Sequence, residues 1–267
     1  MCTETDPAYI MVLSYAFCNA SLMPVRAEPS HRAEMVNQLL FGEKAEVLEI
    51  NEKEWAKIRC DHDDYIGWCK LGQLTIIHKK DYRKAPRYIA DKHQNKLVYE
   101  QDEQWIPMGA DLFGMKLLQK KDGKYKGKKL TIKDLELAPK HIVEAAMHYM
   151  NAPYLWGGRS IAGIDCSGLT QMAFKMCGKA ILRDAAQQAE EGEQVDFLQH
   201  AHKGDLAFFD NDEGKIVHVG ILLDNSSILH ATDTSGRVVI DKIDQGGIIS
   251  ISLKKRTHKL RVIKRYC

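Results

Sequence analysis

Cys166 stands in Asp165-Cys166-Ser167-Gly168-Leu169, after the glycines Gly157, Gly158 and Gly163 and at the head of a stretch with helical apolar spacing. A thiol there meets the unpaired N–H groups and the positive dipole end of a helix, surroundings that favour a thiolate nucleophile. A small apolar residue at a helix start fits the same context. Two histidines separate the readings. His218 lies inside the apolar run Ile216 to Leu223, and His230 ends the next run, twelve positions on, across the short turn Asp224-Asn225-Ser226. One antiparallel hairpin brings them together. With Cys166, 52 positions before His218, they supply a nucleophile, a general base and an orienting polar group. The same three side chains are also possible zinc ligands, with His200 and His202 as a further pair. No second ligand flanks Cys166, and the His200 pair reads as loop before Lys203-Gly204-Asp205, so no metal or other cofactor is expected.

The elements that must position these groups begin after Pro139. His141 to Met150 has apolar residues at helical spacing, Pro139 marks its start and Pro153 its stop. Cys166 to Met176 predicts a second helix, with Leu169, Met172, Ala173 and Met176 on one face and Gly178 as its end. Gly204 to Phe209, Ile216 to Leu223, Ser227 to Ala231 and Arg261 to Ile263 predict strands of one antiparallel sheet. Two helices followed by a run of strands is an α+β pattern.

The N-terminal half reads differently. Leu22 to Arg26, Glu46 to Ile50, Trp55 to Cys60 and Tyr65 to Cys69 are short, closely spaced segments with period-two alternation, which predicts a small β-barrel. Glu34 to Leu40 lacks alternation and reads as a helical or irregular turn. Between about 85 and 137 the texture repeats, with Lys96 to Tyr99, Trp105 to Met108 and Met115 to Leu118 as strands and Lys120 to Lys129 as a hairpin turn or exposed loop. The expected division is a first β domain over 1–80, a second over 81–137 and a catalytic domain over 138–267.

Composition removes other classes. The 267 residues are 45% hydrophobic and 28% charged, enough for a sizeable core, and the net charge of +2 gives no footprint for nucleic acid. Ala8 to Cys18 is the one segment resembling a targeting signal, but acids precede it and it is too short to span a bilayer, so no membrane partner is expected. The seven cysteines are odd in number and contain no Cys-x-x-Cys pair. Cys166 is the nucleophile candidate, and the other six are bystanders that suit a reducing cytoplasm. A periplasmic setting stays open if the start lacks a signal, and a monomer is expected.

Pro153 to Gly158, Asp165 to Gly168, Gly204-Asp205-Leu206 and His218 to Ile221, with His230 beyond, resemble the motif string of the NlpC/P60 cysteine peptidases of bacterial cell-wall metabolism. Pro24-Val25-Arg26, Ser30 to Gln38 and Tyr65 to Trp68 are similar to the SH3-like domains that precede the catalytic domain in γ-D-glutamyl-L-diamino acid endopeptidases. The resemblance implies a papain-like catalytic domain behind two SH3-like barrels, with Cys166 as nucleophile, His218 as base and His230 as orienting residue. It implies that Tyr154 assists the Cys166 amide in the oxyanion hole, and that Asp165 and Ser167 contact the substrate's amino end and γ-D-glutamyl part. Glu34 and Tyr65 would close one end of the cleft, with Trp156, Arg183 and Asp184 lining it. The implied substrate is a murein tri- or tetrapeptide, L-Ala-γ-D-Glu-diamino acid, with a free amino end. Ala185 stands where close relatives often carry serine. A zinc-dependent hydrolase, a non-catalytic wall-peptide binder and a related acyl substrate stay open as alternatives.

Overall fold

A computed structural model describes residues 11–99, 102–118 and 123–267. Seven strands form the N-terminal unit: β1 (Ser14–Cys18), β2 (Leu22–Arg26), β3 (Met35–Leu40), β4 (Lys44–Ile50), β5 (Trp55–Cys60), β6 (Ile66–Lys70) and β7 (Leu74–Ile77). They lie antiparallel in the order β3-β2-β6-β5-β4-β1-β7 and wrap a core that includes Met23, Val25, Val47, Ile58 and Cys69. Pro24 is tolerated because β2 pairs with β6 only through Arg26 and Trp68. Residues 14–18 of the signal-like segment are thus a paired barrel strand, while 8–10, like Cys2, lie outside the described residues. The expected turn over Glu34 to Leu40 is instead β3. Its last four residues are all buried, since one face meets the barrel core and the other the catalytic unit, and a strand covered on both faces has no reason to alternate.

A short helix, α1 (Lys79–Tyr82), leads into β8 (Tyr88–Ala90), β9 (Asn95–Val98), β10 (Glu103–Ile106), β11 (Lys124–Lys126) and β12 (Lys129–Thr131). Among the described residues these divide into a three-stranded sheet, β10-β9-β11, and a β12-β8 pair. Ile89, Leu97, Ile106 and Met108 join the same apolar cluster as the catalytic helices, so this unit is fused to the catalytic core. Met115 to Leu118 is a turn and not a strand, because the N–H groups of Leu117 and Leu118 both bond to the Gly114 carbonyl. Residues 120–122 of the expected lysine-rich loop lie outside the described residues; its remainder holds β11 and the first residue of β12.

The C-terminal unit contains α2 (Pro139–Met147), the small pair β13 (Arg159–Ser160) and β14 (Gly163–Ile164), α3 (Cys166–Lys175) and α4 (Ala185–Glu190). These precede β15 (Glu193–Val195), β16 (Leu206–Asp210), β17 (Ile216–Leu222), β18 (Ser227–Thr232), β19 (Arg237–Asp244), β20 (Gly247–Ser250) and β21 (Lys255–Arg265). The strands run β15-β21-β16-β17-β18-β19-β20, and the long β21 also pairs with β20. The helix predictions hold: Pro139 is the first helical residue of α2, and Gly178 follows α3 with φ +81°. Helix α3 is buried along its whole length, packed between α2 and the sheet. The six cysteines among the described residues are all unpaired. No helix among the described residues is long and apolar enough to cross a membrane.

Candidate active site

Asp165 places Cys166, the candidate nucleophile. As N-cap of α3 it accepts the Gly168 N–H on Oδ1 at 2.7 Å and the Gly157 N–H on Oδ2 at 2.7 Å, so Cys166 becomes the first residue of the helix. The Cys166 N–H therefore has no intrahelical acceptor and can serve an oxyanion. Its thiol lies against the backbone N–H of Val219, the neighbour of His218.

The base is held by a file of polar groups, one from each of three adjacent strands. His218 on β17 meets His230 on β18, with Nε2 and Nδ1 2.9 Å apart. His230 Nε2 in turn lies 3.3 Å from Oδ2 of Asp241 on β19, and Asp241 Oδ1 accepts the Ile251 N–H at 2.8 Å. A carboxylate can only accept, so His230 carries its proton on Nε2. Its Nδ1 then accepts from His218 Nε2, which leaves His218 Nδ1 bare as the base. His258 on β21 stacks on His218 with ring centroids 4.1 Å apart and planes 22° off parallel. Gly220 gives the hairpin room: a Cβ there would come within 2.7 Å of Ile228 and 3.0 Å of the His230 Cβ.

Burial sets the protonation states. Cys166 and His218 are each 5% exposed. Burial and then the Asp165 charge push the thiol up to about 12, against the weaker pull of nearby backbone N–H groups and Arg183. Burial, with His230 and His258 beside it, holds His218 well below the ordinary histidine range. Burial thus works against the thiolate that the helix start favours, since desolvation opposes charge on the thiol and on the imidazole alike. Tyr154 is half-buried, and burial followed by Cys166 and Asp165 raises its hydroxyl, keeping it a proton donor.

A cleft of about 310 Å³ opens beside Cys166, and Glu34, Tyr65, Trp156, Asp165, Ser167, Arg183 and Asp184 all line it. The structure therefore gathers every sequence-predicted substrate residue on one wall system. Trp156 Nε1 donates to Glu34 Oε1 at 2.6 Å, a bond between the two units made by residues that both line the cleft. Tyr65 donates to Asp184. Asp165 differs from expectation in what it has left to offer. Arg183 grips it with both Nη groups, at 3.0 and 2.6 Å, so its charge is neutralised within the wall. Glu34 and Asp184 also face the cleft as carboxylates, Glu34 bonded to Trp156 and Asp184 to Tyr65.

Two buried ionic hubs fix the barrel to the catalytic unit. Arg183 also reaches Asn37 Oδ1 at 3.0 Å, and Asp63 accepts both Asn37 Nδ2 and Gln171 Nε2 at 3.0 Å. Glu43 receives Arg159 at 2.8 and 3.0 Å and Lys175 at 2.6 Å. Gly157, at φ +77°, lets the cleft loop approach β3 so closely that a Cβ would fall 2.4 Å from the Met35 carbonyl oxygen. Sequence reasoning missed Asp241 and His258. The available signal was an acid in phase with the apolar Val239 and Ile243 along β19.

Residues 151–257 match the NlpC/P60 family, and residues 25–74 match the bacterial dipeptidyl-peptidase SH3 domain. The chain is 31% identical over 225 residues to a γ-D-glutamyl-L-lysine dipeptidyl-peptidase of Bacillus subtilis, covering 76% of this chain and 74% of that one. It is 26% identical over 255 residues to dipeptidyl-peptidase 6 of Lysinibacillus sphaericus, covering 85% and 90%. A crystal structure of an NlpC/P60 family protein from Bacillus cereus superposes with a TM-score of 0.76 at 20% identity, over 95% of this chain and 99% of the other, and so shares the whole fold. With relatives of that identity aligned across both the barrel and the catalytic unit, this chain belongs to the NlpC/P60 family.

Proposed function

We propose that the protein is a cysteine peptidase that hydrolyses the γ-D-glutamyl to diamino acid amide of cell-wall peptides bearing a free N-terminal L-Ala. The observation that carries this reading is the hydrogen bond from Trp156 to the barrel's Glu34, both on the wall that also holds Cys166, which we take to close one end of the cleft. A blocked end admits a peptide terminus and excludes a stem still joined to glycan. The carboxylates of Glu34 and Asp184 suit the ammonium of that terminus, which needs a partner in a partly dry cleft.

The chemistry follows from the groups in place. Cys166 Sγ attacks the γ-carbonyl of D-glutamate as its proton passes to His218 Nδ1. The Cys166 N–H and the Tyr154 hydroxyl meet the developing oxyanion. Collapse breaks the C–N bond, and His218 returns its proton to the leaving α-amine, giving a thioester. Water, deprotonated by His218, then releases L-Ala-γ-D-Glu and restores the thiol. A role in recycling freed wall peptides in a reducing setting is part of this reading, supported by the six unpaired thiols.

The zinc-hydrolase alternative is less well supported, because His218 and His230 direct nitrogens at each other and His230 commits its second to Asp241. Mass spectrometry of products from free and sugar-linked stem peptides tests the proposal. Cleavage of the free tripeptide to L-Ala-γ-D-Glu, lost in Cys166→Ala, is expected; faster cleavage of intact sacculi would overturn it.

A further inference from the structure

We infer that Asp241 is a positioning residue for the reaction, the end of the three-residue file His218–His230–Asp241 that decides which nitrogen of His218 carries the proton. The inference rests on the roles of Cys166 and His218 given above, and it adds a group that touches neither substrate nor thiol.

The placement is specific. Asp241 and His230 are both buried, with side chains 5% and 1% exposed, so water does not compete for their contact. Each Asp241 oxygen has its own partner, Oδ2 facing His230 Nε2 and Oδ1 taking the Ile251 N–H. Burial raises the Asp241 carboxyl, but the bonds from His230 and Ile251 more than offset it and leave the group below the usual carboxylate range. An ionised acceptor at this point forces the order of protons along the file: Nε2–H on His230, Nε2–H on His218, and a bare His218 Nδ1.

Asparagine at 241 inverts that order for a geometric reason. The Ile251 N–H demands an acceptor, so the amide oxygen must stay at the Oδ1 position and the NH₂ must face His230. His230 Nε2 then becomes the acceptor, its proton moves to Nδ1 and is donated to His218 Nε2. His218 is left with its proton on Nδ1, pointing a donor where a base is needed. Alanine at 241 makes no such demand, because it offers His230 no donor.

The titratable groups around the file are His218 on β17, His230 on β18, His258 on β21, Cys166 and Asp165 at α3, and Asp233 in the turn after β18. Substituting Asp241 leaves all of these in place.

The test is a pair of variants with two readouts. Asp241→Asn should keep a Tm near that of the parent and lose about 10²–10⁴ in kcat with little change in KM, in line with the tautomer inversion known for the aspartate of serine-protease triads. Asp241→Ala should lose more Tm yet retain more kcat than Asp241→Asn. A purely structural residue would give the same ranking in both measurements. The second readout is ¹⁵N NMR of histidine-labelled parent protein, which is expected to show Nε2–H tautomers for His218 and His230. It needs no substrate and no variant, so it stands even if Asp241→Asn fails to fold or the preferred peptide differs from the one proposed. An Nδ1–H tautomer at His218 in the parent, or Asp241→Asn within about threefold of parental kcat, overturns the inference.

Discussion

Trp156 Nε1 donates to Glu34 Oε1 at 2.6 Å, joining a loop of the catalytic unit to the segment that leads into barrel strand β3. On the proposed reading this bond closes one end of the cleft, which Glu34 lines with its carboxylate. Closure and charge are separable, because glutamine keeps an amide oxygen for Trp156 while removing the charge. Glu34→Gln should therefore lower kcat/KM for the free tripeptide about ten- to a hundredfold, the loss of one charged hydrogen bond. The same variant should change N-acetylated tripeptide cleavage little, so that competition assays show the preference for a free amine narrowing. An unchanged preference would remove Glu34 from ammonium recognition.

Cys166 and His218 give the pH dependence an unusual form. Burial depresses His218, so the base stays unprotonated well below pH 6.5 and activity should persist into mildly acidic solution. Burial also pushes the Cys166 thiol up to about 12, so free enzyme should react slowly with iodoacetamide at pH 7 and faster as pH rises past the ordinary cysteine range near 8.5. Alkylation rates from pH 5 to 10 measure this directly. A plateau already reached at pH 6 would mean a resting thiolate–imidazolium pair.

The placement of Cys166, His218 and His230 was legible because each sits in its own local signal: a capped helix start after glycines for Cys166, and a hairpin of countable length for His218 and His230. Asp241 and His258 were not, since they come from strands whose partners depend on the pairing of the whole sheet. Strand β3 was hidden for the opposite reason. Its two faces are both covered, so the alternation that marks a strand is missing. The hubs around Glu43 and Arg183 join residues more than a hundred positions apart, with no periodicity to announce them. Asp165 does line the cleft, but the neutralising grip of Arg183 belongs to packing and could not be read from its motif.

Glu43 tests how the barrel is held. It is buried, and although burial alone would raise its carboxyl, Arg159 and Lys175 keep it ionised. Glu43→Gln would leave Arg159 and Lys175 short of a buried counter-charge, a change that typically costs about 3–5 kcal/mol. Denaturant unfolding should show a loss of that order. With the cleft more distant from Glu43 than from Arg183, kcat measured well below the new melting temperature should fall much less than stability.

Tyr154 lies beside Cys166 and keeps its phenolic proton. Tyr154→Phe removes one oxyanion donor and leaves the Cys166 N–H, so kcat should fall about 10²–10³-fold while iodoacetamide still titrates the thiol. Equal loss of activity and of thiol reactivity would point to a disturbed loop instead of a missing donor.

His62, between β5 and β6, has a buried Nε2 with no partner among the described residues and lies close to the positive charges of Lys175 and Arg159. Burial first, then those two cations, lower it to about 4. An unfolded histidine titrates near 6.5, so as pH falls from about 6.5 the unfolded chain binds this proton while the folded chain does not. Stability therefore declines between pH 6.5 and about 4, and the contribution is complete once the folded form is also protonated. His258, lowered to about 4 by burial and then by His230, adds a second group with the same sign. His62→Gln removes the first proton from this linkage. Its Tm should fall less steeply than that of the parent from pH 6.5 to 4, with His258 supplying part of the remaining slope; parallel curves would show that His62 titrates alike in both states.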